Sequence, residues 1–275
     1  MADGTSTVPQ PADRGTSAYI AEFIGTFALV FFITMVVSLF IEQAPEGLPQ
    51  PFIDWSVIGL VHVFILFMLI QTLALVSGAH FNPAITAALA LVSGAHFNPA
   101  ITAALALIRE IKPIDAAIYI VVQLAGGTLG ALATKGFLLN EGSPENYGTP
   151  AISGRLDGEI FWGGLGVEMI GTFFLVWAVV GVAVNPRSDR GWAALVIGGT
   201  LGLLVMVFGP LTGASFNPAR AFGPALVSGE WGGFDDFVIT YVVAPVVGGC
   251  LAAVTYFRLV IVPGKKGPGG MEPVG

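Results

Sequence analysis

The chain has 275 residues, of which 55% are apolar and 11% charged, with a mean hydropathy of +0.82. That composition excludes a soluble globular core and points to a multi-pass membrane protein. The net charge of −7 argues against nucleic acid as a partner, and the single Cys250, read as a small buried apolar residue, excludes a disulfide framework.

Residues 1–17 are polar and rich in Pro and Gly, so they read as a disordered cytoplasmic tail with no signal peptide. Hydropathy then predicts six spans: Ala18–Ile41, Trp55–Val76, Asp115–Leu139, Ile160–Val184, Trp192–Phe208 and Phe234–Val262. Residues 140–159 form an extracellular loop, and 263–275 a second cytoplasmic tail. Six spans put both termini on one side. Arg14, Arg109, Lys112, Arg187, Arg190, Lys265 and Lys266 gather on that side, against Lys135 and Arg155 opposite. The positive-inside rule therefore predicts cytoplasmic termini, and the cell membrane is the expected location.

Two polar, turn-forming octets interrupt the apolar pattern. Ser77–Ala84 reads SGAHFNPA and recurs letter for letter at Ser93–Ala100; Thr212–Ala219 reads TGASFNPA and is followed by Arg220. In each, an Asn suited to an N-cap precedes a Pro suited to the first helical position. The apolar run after each octet is long enough only for a half-helix. A helix that begins in mid-membrane is tolerated where it lines a cavity or is buried in protein. The expected fold is an all-α membrane protein with six transmembrane helices and two re-entrant half-helices.

The halves 18–139 and 160–262 repeat. Glu22-Phe-Ile-Gly-Thr-Phe in the first span matches Glu168-Met-Ile-Gly-Thr-Phe in the fourth, and Gly126-Gly127 in the third matches Gly248-Gly249 in the sixth. Three spans per half make the repeat inverted, with a functional site at the midplane. The paired glycines let helices approach closely. Glu22 and Glu168 are read either as a proton relay or, preferably, as acceptors for backbone N–H groups of the re-entrant loops. Within 73–107 there is a 16-residue duplication: 73–91 equals 89–107. One copy is surplus, and its place is expected beyond the cytoplasmic membrane surface, where insertions are tolerated.

These residues resemble the aquaporin and glycerol-facilitator family, the major intrinsic proteins. The resemblance runs from Ala18 to Val262 and rests on six spans, the two Glu-containing spans and two Asn-Pro-Ala loops with Arg220 after the second. Only the duplication departs from the pattern. The family implies an hourglass fold, a pore in every subunit and a homotetramer in the lipid bilayer. It implies passage of water and small neutral solutes (ammonia, urea, hydrogen peroxide, glycerol), with ions and protons excluded. The pore motifs are Asn82, Pro83 and Ala84 with Asn217, Pro218 and Ala219; Asn98, Pro99 and Ala100 are the surplus copy. Family position puts a selectivity filter at His62, Val205, Ala214 and Arg220, a set similar to that of plant vacuolar aquaporins. His62 lies 20 residues before Asn82, whereas the same count from Asn98 lands on Gly78 in a loop, so copy one is preferred. Phe81 and Phe216 are expected to wall the pore. His80 and His96 are either structural loop residues or pH sensors.

No enzyme activity, cofactor or metal site is expected, because the membrane histidines and carboxylates are too scattered for a catalytic constellation. A coupled secondary transporter with inverted repeats, or a variant plugged by the surplus segment, are the alternatives.

Overall fold

The computed structural model describes residues 15–42, 52–73, 95–156 and 160–264. In chain order the helices are α1 (Thr16–Leu39), α2 (Trp55–Leu73), α3 (Pro99–Leu107) and α4 (Pro113–Phe137). Then come α5 (Ile160–Val179, prolonged by a π-helical turn Val180–Val184), α6 (Ala193–Thr212), α7 (Pro218–Ser228) and α8 (Phe234–Ile261). A two-residue antiparallel ladder, Ile41 opposite Ile53 and Glu42 opposite Phe52, joins α1 to α2. Among the described residues, α1, α2, α4, α5, α6 and α8 are long and apolar enough to cross a bilayer. The nine residues of α3 and eleven of α7 are not.

The spans fall within a few residues of those expected from hydropathy, with one correction. The fifth runs past Phe208 and through Pro210 to Thr212. Pro210 sits in the last turn, where its missing N–H forgoes a single helical bond. The stop is set instead by Gly213, left-handed at φ 73°, whose N–H reaches the Gly209 carbonyl at 2.9 Å. Residues 74–76 of the second expected span, and most of the duplicated stretch, lie outside the described residues.

Packing follows the repeat. α1 packs on α4 and α5 on α8, while α3 lies against α8 and α7 against α4. A Cβ on Gly126 would run into the Phe23 carbonyl of α1, and one on Gly248 into the Met169 carbonyl of α5. Phe23 and Met169 each directly follow their half's glutamate. The same backbone approach is thus made twice, by glycine both times. The exterior is apolar: Phe32, Phe64, Val121, Phe174 and Leu203 are exposed. Polar residues turn inward instead: Glu22, His62, Gln123, Glu168 and Arg220 are buried. That inversion of the usual polarity suits a chain whose solvent is lipid.

Candidate functional site

The two half-helices begin in the same way. Asn98 has extended backbone (φ −156°), and its Oδ1 accepts from Ala100 N at 2.8 Å; Pro99 opens α3. Asn217 (φ −151°) accepts at Oδ1 from Ala219 N at 3.0 Å and Arg220 N at 3.4 Å; Pro218 opens α7. Side-chain oxygens thereby satisfy donors that a helix start otherwise leaves orphaned.

The residue before each Asn is left-handed, Phe97 at φ 48° and Phe216 at φ 50°. Bulky residues rarely adopt this conformation, so the surroundings must hold it. A buried carboxylate does so in each half. Glu22 accepts from His96 N and Phe97 N, both at 2.7 Å, and from Gln123 Nε2 at 2.7 Å. Glu168 accepts from Ser215 N at 2.9 Å, Phe216 N at 2.7 Å and Thr212 Oγ1 at 2.8 Å. The Phe97 and Phe216 rings, both fully buried, press on Gly25 and Gly171, where an added Cβ would fall within the ring. Phe216 therefore props its loop from behind and does not wall the cavity. Phe81 lies outside the described residues.

The loops meet tip to tip. Asn98 Nδ2 donates to the Phe216 carbonyl and Asn217 Nδ2 to the Phe97 carbonyl, each at 2.9 Å. With its oxygen engaged in capping and one N–H engaged across the junction, each amide keeps one N–H to offer. Asn98 and Asn217 line a cavity of about 20 Å³ together with His62, His96, Ser215, Arg220 and the apolar Leu29, Ile33, Leu175 and Leu201. A volume of that order holds about one water. Next to it opens a vestibule of about 350 Å³ between α2, α3, α5 and α6, which shares His96, Leu66 and Ile101 with the constriction.

His62 and Arg220 both line this constriction. His62 Nδ1 lies 2.7 Å from the Ile58 carbonyl, which can only accept, so Nδ1 carries the proton. Its Nε2 is buried without a partner among the described residues. Arg220 Nη1 donates to the Gly148 carbonyl at 2.9 Å, and its Nε also lacks a partner among the described residues. Val205 and Ala214 are buried at 1% and 0% exposure and do not line the cavity. Of the four expected filter positions, His62 and Arg220 both line this cavity.

One expectation is corrected. Asn82, Pro83, Ala84 and His80 lie outside the described residues, and it is Asn98, Pro99 and Ala100 that stand opposite Asn217. The count back to His62 misled because it assumes a fixed number of residues between His62 and its Asn. His62 lies 36 residues before Asn98 and lines the same cavity. Residues 74–94 separate α2 from the described loop, so the surplus falls there.

Sequence reasoning also missed Gln123 and Thr102. Gln123 donates to Glu22 and to Thr102 Oγ1 at 3.0 Å, while His96 Nδ1 lies 3.0 Å from that same hydroxyl. A lone amide in an apolar span was the available signal. The bond from Arg220 to Gly148 carried none, because its acceptor is backbone.

A family model described as "Major intrinsic protein" matches residues 12–93 and again 88–256, two stretches that meet inside the duplication. Aquaporin AqpM of Methanothermobacter thermautotrophicus is 34% identical over 255 residues, covering 88% of this chain and 96% of that protein. Glycerol uptake facilitator protein-like 6 of Lactiplantibacillus plantarum is 32% identical, covering 86% of this chain and 94% of that protein. The fold matches the X-ray structure of the aquaglyceroporin from Plasmodium falciparum with a TM-score of 0.69 at 23% identity, over 90% of this chain and 97% of that one. The chain thus belongs to the major intrinsic protein family, and is a passive membrane channel for water and small solutes.

Proposed function

We propose that water crosses in single file between Asn98 and Asn217 and past His62 and Arg220, and that small neutral solutes (ammonia, urea, hydrogen peroxide and glycerol) follow the same path. The observation that carries this reading is the pair of crossed bonds, Asn98 Nδ2 to Phe216 O and Asn217 Nδ2 to Phe97 O. They lock both amides so that each presents a donor at one point of a channel about one water wide. A water accepting from both is turned away from its neighbours in the file, which breaks a proton relay. α3 and α7 both aim their N-termini there, each worth about half a positive charge. Together with the Arg220 guanidinium, that field opposes cations and protons. His62 Nε2, with Nδ1–H fixed on Ile58, adds an acceptor, so a solute that both accepts and donates is served.

The homotetramer rests on the family resemblance. Cytoplasmic termini rest on the distribution of Lys and Arg. The halves 18–139 and 160–262 act as two inverted repeats, each supplying one loop, one carboxylate and one half-helix. Stopped-flow swelling of proteoliposomes tests the transport reading: a low activation energy for water, with no dependence on ion gradients, is expected. Uptake that requires an ion gradient would overturn it.

A further inference from the structure

Arg220 stands in the first turn of α7, and the acceptor for its Nη1, the Gly148 carbonyl, belongs to a separate piece of chain. That piece is the strap between α4 and α5. Its backbone is left-handed at three successive residues, Asn146 (φ 49°), Tyr147 (φ 53°) and Gly148 (φ 78°). Asn and Gly tolerate this, whereas Tyr does so rarely. Where the guanidinium sits therefore depends on how α7 and the strap are held to each other.

One ammonium group touches both. Lys135, in the last turn of α4, places Nζ 5.1 Å from the centroid of the buried Tyr147 ring. The same Nζ donates to the Val227 carbonyl, in the last turn of α7, at 3.0 Å. A cation is favoured at a helix C-terminus, where the carbonyls lack helical partners, and over the face of a tyrosine ring. The Tyr147 hydroxyl donates to the Leu139 carbonyl at 3.0 Å, fixing the ring beneath the cation. Thr149 Oγ1 and Ser228 Oγ, 3.2 Å apart, make a second tie between strap and α7.

We propose that Lys135 is a positioning residue for selectivity: it clamps Tyr147 of the strap to the end of α7, and so fixes the Gly148 carbonyl against the Arg220 guanidinium. Without the clamp one of the two ties between strap and α7 is lost, the hold on Arg220 slackens, and the opening admits larger neutral solutes relative to water. The inference rests on the reading of Arg220 as a selective constriction.

The test uses the full chain in proteoliposomes, with urea and water permeabilities measured on the same preparation. Lys135→Met is expected to raise the urea-to-water ratio about fivefold, the factor associated with one net hydrogen bond. Lys135→Arg, which can still donate to Val227 and stack on Tyr147, is expected to return the ratio to the wild-type value. Tyr147→Leu is expected to raise it as Lys135→Met does, and it decides the matter if Lys135→Met cannot be reconstituted. A fall of both permeabilities by one factor, leaving the ratio unchanged, marks a purely structural role and overturns the proposal. Arg220→Val is measured in parallel. If it too leaves the ratio unchanged, the reading of Arg220 fails; if it shifts the ratio while Lys135→Met and Tyr147→Leu do not, only the clamp fails.

Discussion

Removing the Glu168 carboxylate tests how the second loop is held. The group is fully buried and accepts three hydrogen bonds, from Thr212 Oγ1, Ser215 N and Phe216 N. In Glu168→Ala the hydroxyl of Thr212 can turn to another acceptor, but the two backbone N–H groups cannot. Each buried orphan donor costs about 1–3 kcal/mol, so the expected loss is about 2–6 kcal/mol. That is a large fraction of the roughly 5–15 kcal/mol that holds a folded domain. The left-handed Phe216, itself strained by about 1–3 kcal/mol, loses the contact that keeps it there. Glu168→Gln retains one oxygen and the shape, so it should fall between Ala and wild type. Denaturant unfolding in detergent gives the stability change, and stopped-flow swelling reports the pore. The reasoning is refuted if Glu168→Ala changes the unfolding free energy by less than about 1 kcal/mol and leaves water permeability intact.

Gly171→Leu should prevent the Phe216 ring from seating and abolish water permeability, and Gly25→Leu should do the same through Phe97; light-scattering swelling assays on the purified variants check both. Deleting 16 residues from the repeated stretch, which leaves one copy, should keep the pore conducting. It shortens the 74–94 connection from 21 to 5 residues. Swelling rates measure the effect, and a dead channel would contradict the assignment of the surplus to that connection. In the strap, burial raises the Glu145 carboxyl above its ordinary value. A raised carboxyl favours the protonated folded state, so its contribution to stability falls as pH rises through and above the usual carboxylate range. Glu145→Gln should remove that part of the pH dependence from thermal unfolding curves.

The sequence made the fold largely legible because a bilayer leaves few choices. Spans of about 20 apolar residues can hardly be anything but helices, and an Asn-Pro pair inside such a chain marks a helix start. Internal repetition showed Glu22 and Glu168 to be equivalent, and both turn out to hold a loop by the same two backbone N–H groups. What escaped depended on contacts without a sequence period. The choice between Asn82 and Asn98 turned on which copy meets the Phe216 carbonyl, a contact that residue counting does not register. Gly148 reaches Arg220 through a backbone carbonyl, which any residue would supply, so no residue type could announce it.

The pairing of Asn98 with Asn217 is the central claim, and one comparison tests it most directly. Asn98→Asp and Asn82→Asp are each reconstituted, and water and proton permeabilities are recorded on the same vesicles. Asn98→Asp should place a negative charge between the two half-helix ends, remove the donor to Phe216 and raise proton leakage, while Asn82→Asp stays at the wild-type values. A leak that appears with Asn82→Asp and not with Asn98→Asp would contradict the pairing.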